Sequence, residues 1–353
     1  MIKFFRRIRQ NLLMENKTSK YFKYAIGEII LVVIGILIAL QINNWNEKRK
    51  NDSKIGTILK EIQKDLGEDI LKSKELFAYY KTHDSIIQLA LDNKLSREDY
   101  LGDNRVDYVN VAVDAFHMKI HSNGYEKLTD NLDNIPEKYQ DLIAPLNEIY
   151  TYDKYEIDKF DARIDKVTDR LMDDFAASKT WYYRWSQNQI SDEAVNYFLN
   201  DSLYKNALAI YSNASINLRN NVSSFSSHAS ELYRTIAELT GDPKIVPDFI
   251  PHHLIEPTDQ ELEAITGNYT LVKIKNDNGN ITQFKDPFTV AANKKSIHIT
   301  DVKYDNTYGV YFKSSTELYD EQGTFPIIKN DKGEVVSILL RFRNAEYELI
   351  KME

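Results

Sequence analysis

Residues Ala25–Ile42, AIGEIILVVIGILIALQI, form one continuous apolar run that decides where the rest of the chain is displayed. As a helix this run would rise about 27 Å, just short of a bilayer core of roughly 30 Å. Tyr24 and Asn43 would complete the span, and Trp45 would lie at the membrane interface, where tryptophan is enriched. The run therefore predicts a single transmembrane helix over residues 25–45, in contact with the lipid bilayer.

A cleavable signal peptide is the alternative interpretation of this run, because a basic segment precedes it. No small-x-small cleavage site follows the apolar core, and Ala39-Leu40-Gln41 is a poor match to one. The chain also contains no cysteine that could carry a lipid. These features favour an uncleaved signal anchor.

Charge on either side of the run predicts its orientation. Before the run Glu15 is the one acidic residue, whereas after it basic residues are mixed with Glu47 and Asp52. Because basic flanks stay in the cytoplasm, we expect a cytoplasmic N-terminus and the bulk of the chain outside. Residues 1–24 include FFRRIRQNLL, a basic amphipathic arm predicted to lie on the anionic inner surface of the membrane. The basic residues before the run are Lys3, Arg6, Arg7, Arg9, Lys17, Lys20 and Lys23.

Three residues within the run are candidate contacts with a partner helix. Glu28 places a charge inside a span, where charge is costly and often functional, although its side chain would also reach the headgroups. Gly35 and Ala39 have the small-x-x-x-small spacing that lets two helices pack closely. The run thus predicts a homo-oligomer or a membrane protein partner.

The segment IKFFRRIRQNLLMENKTSKYFKYAIGEIILVVIGILIALQINNWNE resembles the N-terminal signature of domain-of-unknown-function family 6090, a family of bacterial single-span membrane proteins. The resemblance is close over residues 1–47 and looser to about residue 240, where Gly124-Tyr125-Glu126-Lys127-Leu128 is similar to a recurring element of that family. It implies a bacterial single-span membrane protein, and together with the orientation predicted from charge it places the chain in the inner membrane with its bulk in the periplasm. It brings no assigned activity, cofactor or catalytic residue.

Composition narrows the classes of function. The net charge of −8 argues against nucleic acid as a partner, because a phosphate binder carries a basic face. The absence of cysteine excludes thiol catalysis, Cys-ligated zinc and disulfides together. The sequence also contains no glycine-rich phosphate loop and no Gly-x-Ser-x-Gly elbow. No motif of the chain therefore names a reaction.

Apolar residues recur at helical spacing from residue 46 to residue 240, which predicts a long antiparallel bundle of three helices. No proline falls between Met1 and Ile135, so the anchor helix is expected to continue into the first of them. Pro136 marks the start of the second helix, and Ser191 caps the third. The core stripe predicted for this third helix is Val195, Leu199, Leu203, Ala207, Ile210, Ala214, Leu218, Val222, Phe225, Ala229, Leu232, Ile236 and Leu239.

Trp181 and Trp185 bound the aromatic segment WYYRW between the second and third long helices. If the first helix rises from the membrane and the second returns, this turn would lie beside the bilayer, where Trp, Tyr and Arg are favoured. The alternative is that the cluster caps the core of the bundle.

Two patterns in the bundle are similar to sets of metal ligands but have plainer interpretations. His117 and His121 are four residues apart, yet Ser122-Asn123-Gly124 breaks a helix beside them. The regularly spaced aspartates of the second helix are interpreted as a solvated face: Asp161, Asp165, Asp169 and Asp173. We predict no metal, cofactor-binding or catalytic residue.

Residues 241–258 form a proline-rich linker, and residues 259–353 change to strand-like patterns. Their opening, ELEAITGNYTL, is similar to the start of small lipocalin-like β domains appended to some bacterial hydrolases. Seven short antiparallel strands are predicted, which fits a small barrel or sandwich. They are Asn268–Lys275, Gln283–Ala291, Ser296–Asp301, Tyr308–Lys313, Thr324–Lys329, Val335–Arg343 and Ala345–Lys351.

These patterns predict an α+β chain with an N-terminal transmembrane helix, a helical bundle over residues 46–240 and a small C-terminal β barrel or sandwich. The expected role is a membrane-anchored envelope protein that acts as a non-enzymatic scaffold, sensor or interaction subunit. The alternative is an extracytoplasmic ligand-binding protein or enzyme, with its site in the β domain or at its junction with the bundle. A cleft at that junction with converging carboxylates and histidines would favour the alternative, whereas a filled β domain and an exposed apolar stripe would favour the first.

Overall fold

The computed structural model describes residues 18–103, 105–241, 246–276, 279, 281–304, 306–342 and 345–352. The chain divides into two compact units, residues 1–57 with 131–137 and residues 58–130 with 138–353. The helices are α1 (Thr18–Leu91), α2 (Arg97–Leu101), α3 (Arg105–Asn110), α4 (Asn123–Thr129), α5 (Ile143–Asn147), α6 (Lys154–Ser178), α7 (Tyr182–Trp185), α8 (Asp192–Asn200), α9 (Ser202–Thr240) and α10 (Asp259–Ile265), with 3₁₀ turns at Leu132–Asn134 and Glu137–Leu142 and a π segment at Glu148–Asp153. The strands are β1 (Gly267–Asn276), β2 (Ile281–Ala292), β3 (Ile297–Asp301), β4 (Asn306–Ser314), β5 (Glu317–Tyr319), β6 (Thr324–Lys329), β7 (Val335–Phe342) and β8 (Ala345–Lys351).

The first unit is dominated by the N-terminal part of α1. Between residues 26 and 42 every large apolar side chain is exposed, with exposed fractions of 45% to 64%. The apolar window of α1 has a mean hydropathy of 2.3 and no buried residue, so this helix is long and apolar enough to cross a membrane. The amphipathic arm predicted for residues 1–24 lies outside the residues whose side chains are described.

The second unit begins with a helical bundle built from α1, α6 and α9. Each helix buries one apolar stripe, mostly at spacings of three, four or seven residues, as the sequence pattern predicts. The buried side chains of α1 in this unit include Ile58, Leu59, Ile62, Leu66, Ile70, Phe77, Tyr80 and Ile87. Those of α6 are Ile157, Ile164, Leu171 and Phe175.

The direction of α6 differs from the expectation. Tyr150, just before α6, lies close enough to Asp69 of α1 for the carboxylate to raise its pKa, after the larger effect of burial. Phe175, near the other end of α6, packs on Phe198 at 6.0 Å between ring centroids. Phe198 in turn stacks on Tyr100, which lies just beyond the end of α1. Thus α6 runs parallel to α1, and the prediction that the second long helix returns was wrong.

Residues 97–130 make the return instead, running back along α1. The Tyr80 hydroxyl donates to the carbonyl of Phe116 at 3.1 Å, and further along Gly124 packs on Ile62. A Cβ on Gly124 would lie only 2.8 Å from Ile62 Cγ1, so glycine is what lets this segment approach the helix. The irregular segment therefore occupies the position that sequence periodicity assigned to a long helix.

Asp201 divides the third predicted helix into α8 and α9. Its Oδ1 accepts hydrogen bonds from the backbone N–H groups of Leu203 and Tyr204, both at 2.9 Å, and so starts a new helix. The new helix turns a different face inward: Tyr204 and Leu208 are buried, whereas Leu203 is 73% exposed.

The predicted core positions of Leu203, Ala207 and Ile210 were therefore wrong. Ile210 is 46% exposed and Ala207 is half-buried. The cause is the aspartate cap, since an interruption between two helices resets the phase of the apolar stripe. Beyond this point the predicted stripe is confirmed at Ala214, Leu218, Val222, Phe225, Ala229, Leu232 and Ile236.

The C-terminal domain is a closed antiparallel barrel in which consecutive strands pair and β8 pairs with β1. The described chain has eight strands rather than the seven predicted. The missing strand was β5, Glu317–Tyr319, because three residues are too few to show an alternating pattern. Its pairing with both β4 and β6 closes the sheet and decides for a barrel over a sandwich.

One end of the barrel is closed by α10. Leu262 and Ile265 of this short helix are buried in the barrel core, and the Tyr269 hydroxyl donates to the Ile265 carbonyl at 2.7 Å. Thr258 starts the helix with a capping box formed with Glu261. The barrel interior is filled at this end by Val290, Ile297, Val310, Phe312, Leu318, Phe325, Ile327 and Ile338, among others.

The outer wall of the barrel packs on α9. Ser227 approaches β4 so closely that a Cβ on Gly309 would lie 1.8 Å from its Oγ. Nearby, the His298 ring of β3 lies 3.4 Å from the Glu231 carboxylate of α9. The serine-rich stretch SSFSSHAS, residues 223–230, supplies the small side chains that this contact needs.

Candidate ligand-binding site at the barrel mouth

The end of the barrel opposite α10 opens into a cavity of about 330 Å³, the barrel-mouth cavity. Its strand residues continue the inward-facing positions of the core, since side chains alternate along a strand. Asp301 is in phase with Ile299 on β3, and Tyr308 with Val310 on β4. The apolar lining from the strands includes Leu271, Phe284, Phe288, Leu340 and Leu349.

Charged groups surround the entrance of the barrel-mouth cavity. The Lys303 ammonium lies 3.1 Å from the Asp286 carboxylate, and the Arg341 guanidinium 2.9 Å from Glu346. Burial raises the pKa of Asp301, although backbone N–H groups of the following turn donate to its carboxylate and oppose the shift. The cavity thus combines an apolar floor with a charged and hydrogen-bonding entrance, as ligand pockets commonly do.

Ile216, Arg219 and Asn220 of α9 form the wall of this cavity outside the barrel. A ligand held there would therefore contact both the barrel and the bundle. This is the junction that the sequence alternatives single out.

A second, more polar cavity of about 420 Å³ adjoins the first, between α1, α9 and the turn that joins β5 to β6. Arg219, Gln322 and Arg341 line both cavities. Arg219 is buried and forms an ion pair with Asp84 of α1. The Lys81 ammonium also lines the polar cavity and makes no ion pair with any residue in the described ranges.

The turn between β5 and β6 positions Gln322 at the junction of the two cavities. Asp320 Oδ1 accepts hydrogen bonds from the backbone N–H groups of Gln322 at 2.6 Å and of Gly323 at 3.0 Å. Burial raises the pKa of Asp320 to about 7, although these hydrogen bonds oppose the shift. The Gln322 side-chain amide nitrogen is buried and finds no hydrogen-bond acceptor among the described residues, so an unsatisfied donor lies beside the two cavities.

Histidines lie at the junction of barrel and bundle, but they face the wall between α9 and β3 and do not line the cavity. His228 Nδ1 lies 2.8 Å from Asp153 Oδ2, and the His298 ring lies 6.4 Å from the His228 ring. Burial alone would lower the pKa of His228, but the hydrogen bond and charge of Asp153 outweigh it and raise the value. Burial lowers the pKa of His298.

His117 and His121, the pair that the sequence analysis compared with metal ligands, contact different carboxylates. His117 Nδ1 lies 3.1 Å from Asp161, whereas His121 Nδ1 lies 2.6 Å from the fully buried Asp69. Burial raises the pKa of Asp69 to about 6, and the hydrogen bond from His121 opposes this. Among the residues that the structure describes, no three His, Asp or Glu side chains are grouped to hold a metal ion.

The candidate partner contacts of the apolar run lie on the exposed part of α1. A Cβ on Gly35 would meet nothing within 4 Å, and Ala39 is exposed, so both are accessible to another helix. Trp45 is 63% exposed, with the Arg49 guanidinium 5.4 Å from its ring centroid. Glu28 is partly exposed. Their contact with a partner stays a prediction.

Trp181 and Trp185 are 3% and 9% exposed. Phe175 contacts both rings edge-on, at centroid distances of 5.2 and 5.6 Å, and Tyr197 also packs on Trp181. The two tryptophans therefore fill the end of the bundle core. Tyr183 is the exposed aromatic residue of this segment, at 59%, and contact of the segment with the membrane stays a prediction.

Sequence analysis did not identify the cavity residues. Aromatic and charged residues of β2, β3, β4 and β8 converge only once the barrel closes. Alternation in β2, where Asp286 is in phase with the core residue Phe288, is the one signal that was readable. A charged residue at a strand position predicted to face inward means either that the inward and outward positions were assigned the wrong way round or that the residue lies at the open end of a barrel.

No curated protein and no solved structure matches the chain. Residues 28–167 match the family model described as a family of unknown function (DUF6090). The matched segment begins inside the apolar run and ends within α6, so it excludes the barrel. It confirms the resemblance read from the sequence, and residues 28–167 are similar to domain-of-unknown-function family 6090.

Proposed function

We propose that the chain is a membrane-anchored envelope protein that works as a sensor rather than as an enzyme, binding a small amphiphile at the barrel mouth. The observation that carries this proposal is the barrel-mouth cavity, whose walls come from both the barrel and α9. A ligand bound only by the barrel would leave the helices unaffected. A ligand bound across this junction adds a contact between them.

The class of ligand follows from the two adjoining cavities. The apolar floor of the first suits a short acyl or aromatic group of the size that about 330 Å³ allows. At its entrance stand Arg219, Arg341 and the Gln322 amide, and beyond them Lys81. These donors suit an anionic head group such as a carboxylate or phosphate. The proposed ligand is therefore a small anionic amphiphile.

The route from ligand to helices passes through Arg219. This residue lines both cavities and pairs with Asp84 of α1, so it joins α9, α1 and the binding site. An anionic head group near Arg219 would compete with Asp84 for the same guanidinium. Weakening an ion pair between two packed helices would change how they pack, because a buried charge needs a partner.

Binding is tested with a fluorescent fatty acid whose emission depends on its environment, added to the full chain in nanodiscs. Asn220→Trp would fill the cavity mouth from α9, and Asn213→Trp places the same side chain on an exposed position of that helix. We expect saturable binding to the native chain and the Asn213→Trp variant, with at least tenfold weaker binding to Asn220→Trp. Equal binding by all three, or no saturable binding, would contradict the proposal.

The proposed site of action is the bacterial inner membrane, with a cytoplasmic N-terminus and a periplasmic bulk. The exposed apolar part of α1 and the basic residues before it support this orientation. Because the chain has no cysteine, a maleimide can label a single-cysteine variant only at the introduced residue. In intact cells a maleimide that crosses only the outer membrane should label Ser53→Cys and spare Ser19→Cys. The reverse labelling would overturn the orientation.

A partner within the membrane is proposed for the face that carries Gly35 and Ala39. Their small side chains would let a second helix approach closely, either from another copy or from another membrane protein. We expect Gly35→Leu with Ala39→Leu to abolish a crosslinked product seen in native membranes, whereas Leu37→Ala should keep it. Unchanged crosslinking in the double variant would exclude this face.

A further inference from the structure

The exposed groove between α6 and α9 is a second feature of the bundle. This α6–α9 groove encloses about 570 Å³ and lies on the side of the bundle that the Asp201 cap leaves uncovered. Val167 and Leu171 form its α6 side, and Leu203, Ala207 and Ile210 form its α9 side. These last three are the residues that the sequence pattern assigned to the core.

Three cations stand along the α6 side of the groove: Arg163, Lys166 and Arg170. All three are exposed, and none forms a hydrogen bond or ion pair with any residue in the described part of the chain. The one acidic residue of the groove, Asp174, is already paired with Lys179 at 3.3 Å. The groove therefore carries three positive charges without internal compensation, in a chain whose net charge is −8.

The charges of α6 are segregated around the helix. Asp161 and Asp165, which lie on a different side from the cations, both face His117, at 3.1 and 3.4 Å. Asp158, on that same side, pairs with Lys154. These three aspartates therefore do not neutralise the cations of the groove, and Asp174 is paired with Lys179.

We infer that the α6–α9 groove binds an acidic amphipathic helix of a partner protein. Leu203 and Ile210 are seven residues apart, as are Arg163 and Arg170, and each pair spans about 10 Å, or two helical turns. A helix laid between two others presents apolar residues at this spacing. Its carboxylates would face the cations of α6, and its apolar stripe would cover the side chains of α9.

Other occupants fit less well. The N-terminal arm of this chain is basic, so it would be repelled by the same cations. A single acyl chain carries one anionic group, which leaves two of the three cations without a partner. The groove is also distinct from the barrel-mouth cavity, with which it shares no lining residue.

The test uses two labelled synthetic peptides with the full chain in neutral-lipid nanodiscs. Both peptides are helical and carry leucine at i, i+4, i+7 and i+11, and they differ in having glutamate or lysine at the flanking positions. Fluorescence anisotropy should show that the glutamate peptide binds the native chain at least tenfold more tightly than the lysine peptide. Because the attraction is partly ionic, binding should weaken as salt is raised.

Charge reversal provides the decisive variants. Arg163→Glu, Lys166→Glu and Arg170→Glu together should weaken binding of the glutamate peptide at least tenfold and strengthen binding of the lysine peptide. Asp169→Lys, a single charge reversal on α6 outside the groove, is the control and should leave both affinities unchanged. Because all four positions are exposed, circular dichroism should show the native helix content in every variant.

Four results would overturn the inference. The first is equal binding of the two peptides by the native chain. The second is binding of the glutamate peptide that survives the triple reversal. The third is concentration-dependent self-association of the native chain, lost on triple reversal, without peptide binding, which would assign the groove to a second copy. Binding of anionic vesicles in place of the peptide would likewise assign it to lipid.

Discussion

Replacing Gly309 with alanine tests how the barrel is held on the bundle. The added Cβ would lie 1.8 Å from Ser227 Oγ and 2.2 Å from Ser227 Cβ, whereas carbon atoms in contact are normally about 3.5–4.0 Å apart. Rotating the serine side chain moves Oγ but leaves its Cβ in place. The strand and the helix would therefore have to separate by more than 1 Å, by about the shortfall in that contact.

Overpacking of this kind costs about 1–3 kcal/mol, and the buried position of Ser227 places Gly309→Ala in the upper part of that range. At roughly 2–4 °C per kcal/mol for a large domain, the melting temperature should fall by about 5–10 °C. Thermal unfolding of the full chain in detergent, followed by circular dichroism, measures this. Gly323→Ala is the matched control, because a Cβ there would meet nothing within 4 Å.

Second-site changes separate this cause from a general effect of alanine. Ser227→Gly removes the colliding Cβ, so it should rescue Gly309→Ala, less about 0.5–1 kcal/mol for glycine inside a helix. Ser227→Ala keeps the Cβ and should not rescue it. The Ser227 hydroxyl has no hydrogen-bond partner among the described residues, so its loss alone costs little. Equal rescue by both changes, or no destabilisation by Gly309→Ala, would refute the reasoning.

Three further predictions concern the bundle. Gly124→Ala should destabilise the chain by about 1–3 kcal/mol in chemical denaturation, because its Cβ would lie 2.8 Å from Ile62 Cγ1. The folded chain raises the pKa of His228, so it holds the imidazole proton more tightly than the unfolded chain does. The free energy of unfolding should therefore fall as pH rises from about 6.5 through the folded-state pKa. Melting curves recorded at several pH values should show that Asp153→Asn flattens this fall. Trp181→Ala should cost about 3–5 kcal/mol, as expected for a buried aromatic residue, and leave maleimide labelling of Ser53→Cys unchanged. A cost below about 1 kcal/mol would contradict its role in the core.

The helices of the bundle could largely be predicted from sequence, because each buries one side and the period of 3.6 residues is visible without knowledge of its neighbours. The same argument failed at Asp201. A carboxylate that caps a helix is common in exposed loops as well, and only the backbone geometry shows that it restarts the helix. Because Asp201 changes which side of the helix faces inward, sequence analysis assigned the α9 residues of the exposed groove to the core.

The barrel shows a different limit. Alternation identified most strands, since one face of each is buried, but β5 is too short to carry a pattern and its pairing is what closes the sheet. The barrel-mouth cavity could not be predicted, because its lining residues come from strands far apart in sequence and from α9. Residues that line one cavity lie close together in space, but they follow no common spacing in the sequence.

By itself the sequence determined the apolar run that is long enough to span a membrane, the presence of long helices followed by a β domain, and the resemblance of residues 28–167 to a family of unknown function. These features depend on interactions within a few turns or strands, or on the transfer of one segment into lipid. Only the tertiary structure decided the direction of α6, the closure of the barrel, the seating of Gly309 against Ser227 and the two cavities beside Arg219. Each of these depends on which distant surfaces meet, and that is set by packing of the whole chain.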